Sequence, residues 1–171
     1  LSDQKIPSGY FDNRAFETAL NEFVVSEYGK EGLIEDISNY QVFFNYENLT
    51  AADINAEDLQ KKIAHFALQY DLMDKVYTRA ELNQANYTSG VAALIQKGFN
   101  QKRSGDVFLV LDPGVISYSR TGSTHGSAFS YDTHAPLLFY GAGIKKGKTY
   151  ELTEIPDIAA RCLLYTSPSP R

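Results

Sequence analysis

Apolar residues in this chain first recur at helical spacing and then fall into short, dense runs. Phe16, Ala19, Leu20, Phe23 and Val24 share one face at i, i+3, i+4, i+7 spacing, which predicts a helix over 12–28. Asp12 or Asn13 can cap it, because a short side-chain oxygen accepts from the unpaired N–H groups of a first turn. Gly29 can end it, since a residue without Cβ enters the left-handed conformation freely. Two β-rich pieces follow, Leu33–Ile37 and Tyr40–Tyr46, the second dense in Val and Phe. Asn55, with Asp58 three residues on, opens a second helix over 56–70 whose stripe is Leu59, Ile63, Phe66, Ala67 and Tyr70. A strand near Lys75–Thr78 precedes a third helix over 90–100, with Val91, Leu94, Ile95 and Phe99 as its expected apolar face. Ser104-Gly105 breaks the pattern, and Asp106–Leu111 reads as a compact buried strand. No internal repeat is visible.

That order of helices and strands is what an α+β layer with an antiparallel sheet produces. After Gly114 the pattern changes. Ser119 to Ser130, rich in Gly, Ser and Thr, reads as a long loop, and loops of that length without their own structure are often functional. Leu137–Tyr140 then reads as a strand, and Ile155-Pro156-Asp157-Ile158-Ala159 as the start of a helix. The fold class is mixed α/β.

With 171 residues, 43% apolar and 13% aromatic, the chain can bury a substantial core in one domain or slightly more. A net charge of -5 argues against binding nucleic acid or an anionic membrane through bulk electrostatics. No apolar run approaches the roughly 20 residues of a transmembrane helix. Nothing near Leu1 has the charged-then-apolar layout of a signal peptide. The single cysteine, Cys162, opens the stretch Cys162–Arg171, which looks foreign to the domain. This decapeptide resembles the translated read-through of a common transposase sequencing adapter and is set aside from fold reasoning. The chain is accordingly read as an internal piece of a longer protein. The sequons at Asn48 and Asn86 carry no weight.

Candidate chemistry centres on His125, in Thr124-His125-Gly126-Ser127, followed by Tyr131-Asp132-Thr133-His134-Ala135-Pro136-Leu137-Leu138-Phe139-Tyr140-Gly141. An imidazole on a tight Gly/Ser turn before an apolar run sits at the rim of a sheet, where α/β proteins build ligand sites. Neutral imidazole is a ready metal ligand; on the residues alone, a rim histidine satisfied by hydrogen bonds is the alternative. On a strand, Asp132 and His134 would point to the same side. Both could then be ligands, or either could orient a ligand through a hydrogen bond. Thr124, Ser127 and Thr133 have no visible base beside them, and turn chemistry explains them. His65 reads as a surface residue, and Lys97, Lys102, Arg103 and Lys145-Lys146-Gly147-Lys148 as solvated charge.

The string from Thr124 to Gly141 resembles the last metal-ligand motif of the alkaline phosphatase superfamily. The branch it is similar to is that of the phosphate-irrepressible bacterial alkaline phosphatases, related to the nucleotide pyrophosphatase/phosphodiesterases. Pro7-Ser8-Gly9-Tyr10-Phe11, Asn13-Arg14-Ala15 and Ser104-Gly105-Asp106-Val107 extend the resemblance over Ile6 to Ala160. It implies an α+β insertion subdomain over 1–104, then over 105–161 the C-terminal strands and helix of an alkaline-phosphatase-like core sheet; 162–171, by its likeness to the adapter, is read as an artefactual tail. It also implies two zinc ions in the whole enzyme and a Thr or Ser nucleophile. Carried over residue by residue, it makes His125 the one zinc ligand here and Asp132, His134 and Thr124 its supporting groups. No catalytic residue falls in the chain. The nucleophile, an aspartate, an Asp-x-x-x-His pair and an Asp-His pair are expected upstream of Leu1. The implied substrates are small phosphate mono- or diesters, and the implied location is the periplasm or outside the cell. A sulfatase-like hydrolase, a metal-dependent phosphomutase and a non-catalytic scaffold are the rivals. The short Ser127–Tyr131 spacer and the Pro-Leu-Leu-Phe-Tyr-Gly run favour the phosphatase/phosphodiesterase branch.

Overall fold

In the computed structural model, residues 8–117, 125–151, 153, 154 and 158 are described. Strand β1 (Gly9–Tyr10) leads into helix α1 (Asn13–Tyr28). Asp12 caps α1, its Oδ1 accepting from Arg14 N and Ala15 N, each at 3.0 Å. Gly29 ends it at φ 62°, donating to Val25 O at 2.8 Å. Phe16, Leu20 and Val24 form the buried stripe, as their spacing requires.

Strands β2 (Ile34–Ser38) and β3 (Gln41–Phe44) pair antiparallel around Asn39 and Tyr40, at φ 50° and 57°. Two successive positive φ values are the hairpin geometry whose twist matches that of the flanking strands. Helix α2 (Tyr46–Ala51) follows, begun by Asn45 Oδ1 accepting from Asn48 N at 3.0 Å. Helix α3 (Ala56–Leu68) is capped by Asn55, as its sequence predicts, with Leu59, Ile63 and Ala67 buried. Strand β4 (Met73–Thr78) runs into helix α4 (Arg79–Gln84) through a reciprocal cap between Thr78 and Glu81. Then come α5 (Gly90–Gly98), β5 (Val107–Leu111), β6 (Val115–Ile116) and the single turn α6 (Ser130–Thr133).

The main sheet has the order β2-β3-β5-β4, antiparallel throughout, with β5 buried at all five positions. Helix α3 packs on β4 and β5, and α1 packs on α3 through rings: Phe23 stacks on Phe66 at 4.6 Å, and Phe16 meets Tyr70 edge-on at 5.1 Å. Apart from this sheet, β1 and β6 pair in parallel, Gly9 opposite Val115 and Tyr10 opposite Ile116. The chain therefore enters and leaves the α+β layer on two adjacent strands.

Several expectations are corrected. Strand β5, just past the expected boundary at 104/105, is an inner strand of the main sheet, and by packing the chain forms two compact units, up to Ala135 and from Pro136. Leu137–Tyr140 is not a strand, and its side chains are exposed. A strand exists only as a ladder with a neighbour, and the described residues supply none there. The helix expected from Ile155 lies almost wholly outside the described residues, as does Cys162–Arg171. Helix α5 is turned from its expected face: it buries Ala92 and Ala93 and leaves Leu94 45% exposed. Gln96 explains the rotation. Its Nε2 donates to Leu82 O (2.6 Å) and Ala85 O (2.7 Å), and its Oε1 accepts from Tyr87 N (2.9 Å), so an amide takes a place that apolar periodicity would not give it.

A buried carboxylate ties the layer together. Asp106, 1% exposed, accepts from Phe44 N at 2.9 Å and from the Tyr46 hydroxyl, and pairs with Arg79 Nε at 2.8 Å. Arg79 also donates to Gln101 O (2.6 Å) and Ser104 O (2.5 Å). Burial, then the hydrogen bond to Asp106, pushes the Tyr46 hydroxyl up to about 12. A raised value means the neutral hydroxyl favours the fold below the ordinary tyrosine value of about 10, and that this support is lost as pH climbs through the raised one. Stability is expected to fall between about pH 10 and 12. Tyr46→Phe should remove one late tyrosinate transition in an absorbance titration.

Gly105 stands one residue before that carboxylate. A Cβ there would lie 2.8 Å from Gln41 Cβ and 2.9 Å from Val42 O, while Gly105 N donates to Gln41 Oε1 at 2.8 Å. The clash is with β3 itself, which cannot swing aside. Gly105→Ala is expected to destabilise by about 1–3 kcal/mol, read as a lower denaturant midpoint.

Candidate functional site

From β6 the chain reaches Ser117, whose Oγ meets the Tyr40 hydroxyl at 2.5 Å. Thr124 lies outside the described residues. From His125 onward a short turn is held from three directions. Gly126 adopts φ 124°, a left-handed-side conformation that L side chains rarely take, which accounts for glycine directly after the histidine. Asp132 Oδ2 accepts from Gly126 N at 2.7 Å and Ser127 N at 2.6 Å. The Tyr131 hydroxyl accepts from Gly114 N at 3.1 Å, fastening α6 to the turn between β5 and β6.

These bonds act on the electrostatics as well as the shape. The Ser127 backbone N–H, with the Gly126 N–H, outweighs desolvation and holds the Asp132 carboxyl below the usual carboxylate range; His125 adds to the effect. Asp132 is thus a fixed anion that orders the turn through its backbone. The segment is a helical turn and not a strand, with Asp132 in α6 and His134 at its C-cap, exposed, its N–H donating to Ser130 O at 3.0 Å. Two positions along such a turn stand about 200° apart, so the same-side pairing of Asp132 with His134 does not form.

His125 lies at the edge of a cavity of about 420 Å³. Leu94, Ile95 and Phe108 line it from the layer, and Phe129 and Tyr131 from α6 and the residue before it. The last two rings stack at 5.7 Å with 21° between planes. Sequence reasoning missed Leu94, Phe129 and Tyr131. A visible signal existed for the aromatic pair, since Phe129 and Tyr131 flank the motif at i, i+2.

The donor set fits one corner of a zinc site, an imidazole on a stiff turn. Asp132 Oδ2 is committed to two backbone donors. Among the described residues, no group of three or more His, Cys, Asp and Glu side chains could hold a metal. Any further ligands would come from elsewhere. His65 is exposed and hydrogen-bonded to Gln69, as expected of a surface histidine.

Comparison with known proteins gives the site its context. No protein-family profile matches the chain. It is 39% identical over 164 residues to a protein named calcium-transporting ATPase from Myroides odoratus, covering 93% of this chain and 29% of that protein. Alkaline phosphatase PafA of Elizabethkingia meningoseptica is 29% identical over 173 residues, 99% of this chain and 32% of that enzyme. Alkaline phosphatase PhoV of Synechococcus elongatus is 27% identical over 143 residues, 84% of this chain and 26% of that enzyme. The crystal structure of wild-type PafA matches with TM-score 0.79 and 28% identity, over 88% of this chain and 28% of that one. The chain spans about a third or less of the length of these relatives. Over that span the fold is shared with a bacterial alkaline phosphatase. These similarities in sequence and fold support the alkaline phosphatase superfamily for this chain.

Proposed function

We propose that this chain is part of a zinc-dependent phosphoric ester hydrolase acting on small phosphate mono- or diesters, with His125 as one zinc ligand. The observation that carries the reading is the stiff presentation of His125 at the cavity edge, in a chain that matches PafA in sequence and fold. Zinc, when bound, would polarise the phosphoryl group and activate a nucleophile. What this chain does is narrower. Gly126 and Asp132 fix the turn that carries the imidazole, and Tyr131 fastens α6 to the turn between β5 and β6. Asp132 supports the ligand through the backbone; Thr124 directly precedes it in sequence, and His134 follows α6. The Thr or Ser nucleophile and the other ligands belong to the longer enzyme, as does export to the periplasm. No helix among the described residues is long and apolar enough to cross a membrane.

The test is hydrolysis of nitrophenyl phosphate by the whole protein, abolished by chelation and restored by zinc. Turnover that survives complete metal removal overturns the reading. A second reading follows the name of the Myroides relative: cleavage of an ATP phosphoanhydride. A preference for ATP over nitrophenyl phosphate would favour it. This chain expressed alone is expected to hydrolyse neither compound above background, because one imidazole cannot hold a two-metal site. Chelator-sensitive turnover by the isolated chain would point to a different site.

A further inference from the structure

Helix α6 does little to hold itself in place. It is a single turn of four residues, Phe129 at its N-cap makes no side-chain capping bond, and none of its residues is buried. A turn that short is unfavourable on its own, so its position is set by what it bonds to outside itself. Two adjacent residues make those bonds in opposite directions. The Tyr131 hydroxyl accepts from Gly114 N at 3.1 Å, while Asp132 Oδ2 accepts from Gly126 N at 2.7 Å and Ser127 N at 2.6 Å. Among the described residues, the backbone bonds of α6 stay local, from Asp132 N and Thr133 N to Phe129 O and from His134 N to Ser130 O.

Gly114 is a firm anchor. It precedes β6 directly, at φ 80°, in a turn closed by Val115 N donating to Asp112 O at 3.1 Å. Asp112 N donates to Leu72 O just before β4, and Phe11 N to Ile116 O, both at 2.9 Å, so the turn is tied to its surroundings on both sides. The phenol that reaches Gly114 is aimed as well. Its ring stacks on Phe129 at 5.7 Å with 21° between planes, which holds the direction of the hydroxyl. Tyr131 is nevertheless 63% exposed, so it adds little apolar burial to the core. Its hydroxyl fixes position more than it adds stability.

We propose that Tyr131 is a positioning residue for the metal ligand: its hydroxyl fixes α6 against the β5–β6 turn, and Asp132, the next residue, passes that placement to the backbone that carries His125. The assignment rests on the zinc-hydrolase reading and adds to it the group that sets where the imidazole stands. Without the hydroxyl, α6 shifts against the β5–β6 turn and Asp132 shifts with it. The His125 turn then keeps its own bonds but loses its fixed place relative to β6. The imidazole meets the ion in a smaller share of its positions, which loosens the metal without removing a donor atom.

The experiment titrates the metal-free whole protein with zinc against a competing chelator and reads the dissociation constant of the equivalent that His125→Ala loses. Tyr131→Phe keeps the ring stack and removes the hydroxyl alone. It is expected to raise that constant about fivefold, the scale of one hydrogen bond. Its denaturant midpoint, and its KM for nitrophenyl phosphate at saturating zinc, should stay close to wild type. Tyr46→Phe, which takes a partner from Asp106, is expected to do the reverse, lowering the midpoint and leaving zinc affinity unchanged. Zinc affinity unmoved in Tyr131→Phe overturns the assignment alone. An equal loss of affinity in both variants also overturns it, because lost stability would then account for the effect. Wild-type zinc affinity in His125→Ala overturns the parent reading and the role of Tyr131 with it.

Discussion

His125→Ala is expected to cut phosphoester hydrolysis of the whole enzyme by more than about 100-fold, the scale that separates a metal ligand from its supporting groups. The same variant should lose close to one equivalent of zinc. The physical reason is coordination number: a catalytic zinc typically holds three protein ligands and keeps one position for substrate. Losing an imidazole from three leaves an ion that exchanges into solvent. Asp132→Ala should act on the same site more gently, since it frees the Gly126 and Ser127 N–H groups and loosens the turn without removing a donor atom. Metal analysis beside steady-state kinetics separates the two. Near-normal zinc content and turnover in His125→Ala would remove this residue from the metal's ligands.

Asp106→Ala is expected to be the most destabilising single change in the α+β layer, at about 3–5 kcal/mol. Arg79 would keep its charge in a pocket built around a carboxylate, and Phe44 N–H would lose its acceptor. The Tyr46 hydroxyl would lose its partner as well. Truncating one partner of a buried pair leaves the other uncompensated, which is why the expected loss exceeds that of an ordinary hydrogen bond. Removing both charges, as in Asp106→Leu with Arg79→Met, should recover part of the stability. Denaturant unfolding of the single and double variants measures the difference. A loss below about 1 kcal/mol for Asp106→Ala would show that water reaches this pair freely.

Much of the layer was legible because its elements announce their ends. Asp12, Gly29 and Asn55 sit where caps are chemically needed, and the apolar stripes between them have helical period. The Asp106–Leu111 run stood out as a buried strand and is one, from Val107. Helices α2 and α4 escaped because six residues hold too little period to register. Their caps were readable, Asn45 before Asn48 and the Thr78/Glu81 box. The orientation of α5 could not be read from hydropathy, since the decisive residue is a glutamine bonded to α4 and to the loop that follows it. The site divides in the same way. His125 was legible from its neighbours in sequence. Its cavity was not, because Leu94, Phe108 and Tyr131 meet only through long-range packing. Leu137–Tyr140 shows the opposite failure: an apolar run has the composition of a strand, but composition supplies no partner.

The parallel pairing of Gly9 with Val115 and Tyr10 with Ile116 makes the module between them a cassette. Its two attachment points are adjacent strands, about 4.8 Å apart in the hydrogen-bonding direction. A segment anchored so narrowly can lengthen, shrink or be exchanged during evolution without moving the strand that leads on to His125. Diversity among related proteins can therefore accumulate in the cassette while the turn that carries His125 keeps a fixed starting point. An engineer gains the same freedom, because a short linker across that gap would excise the module at its natural seam.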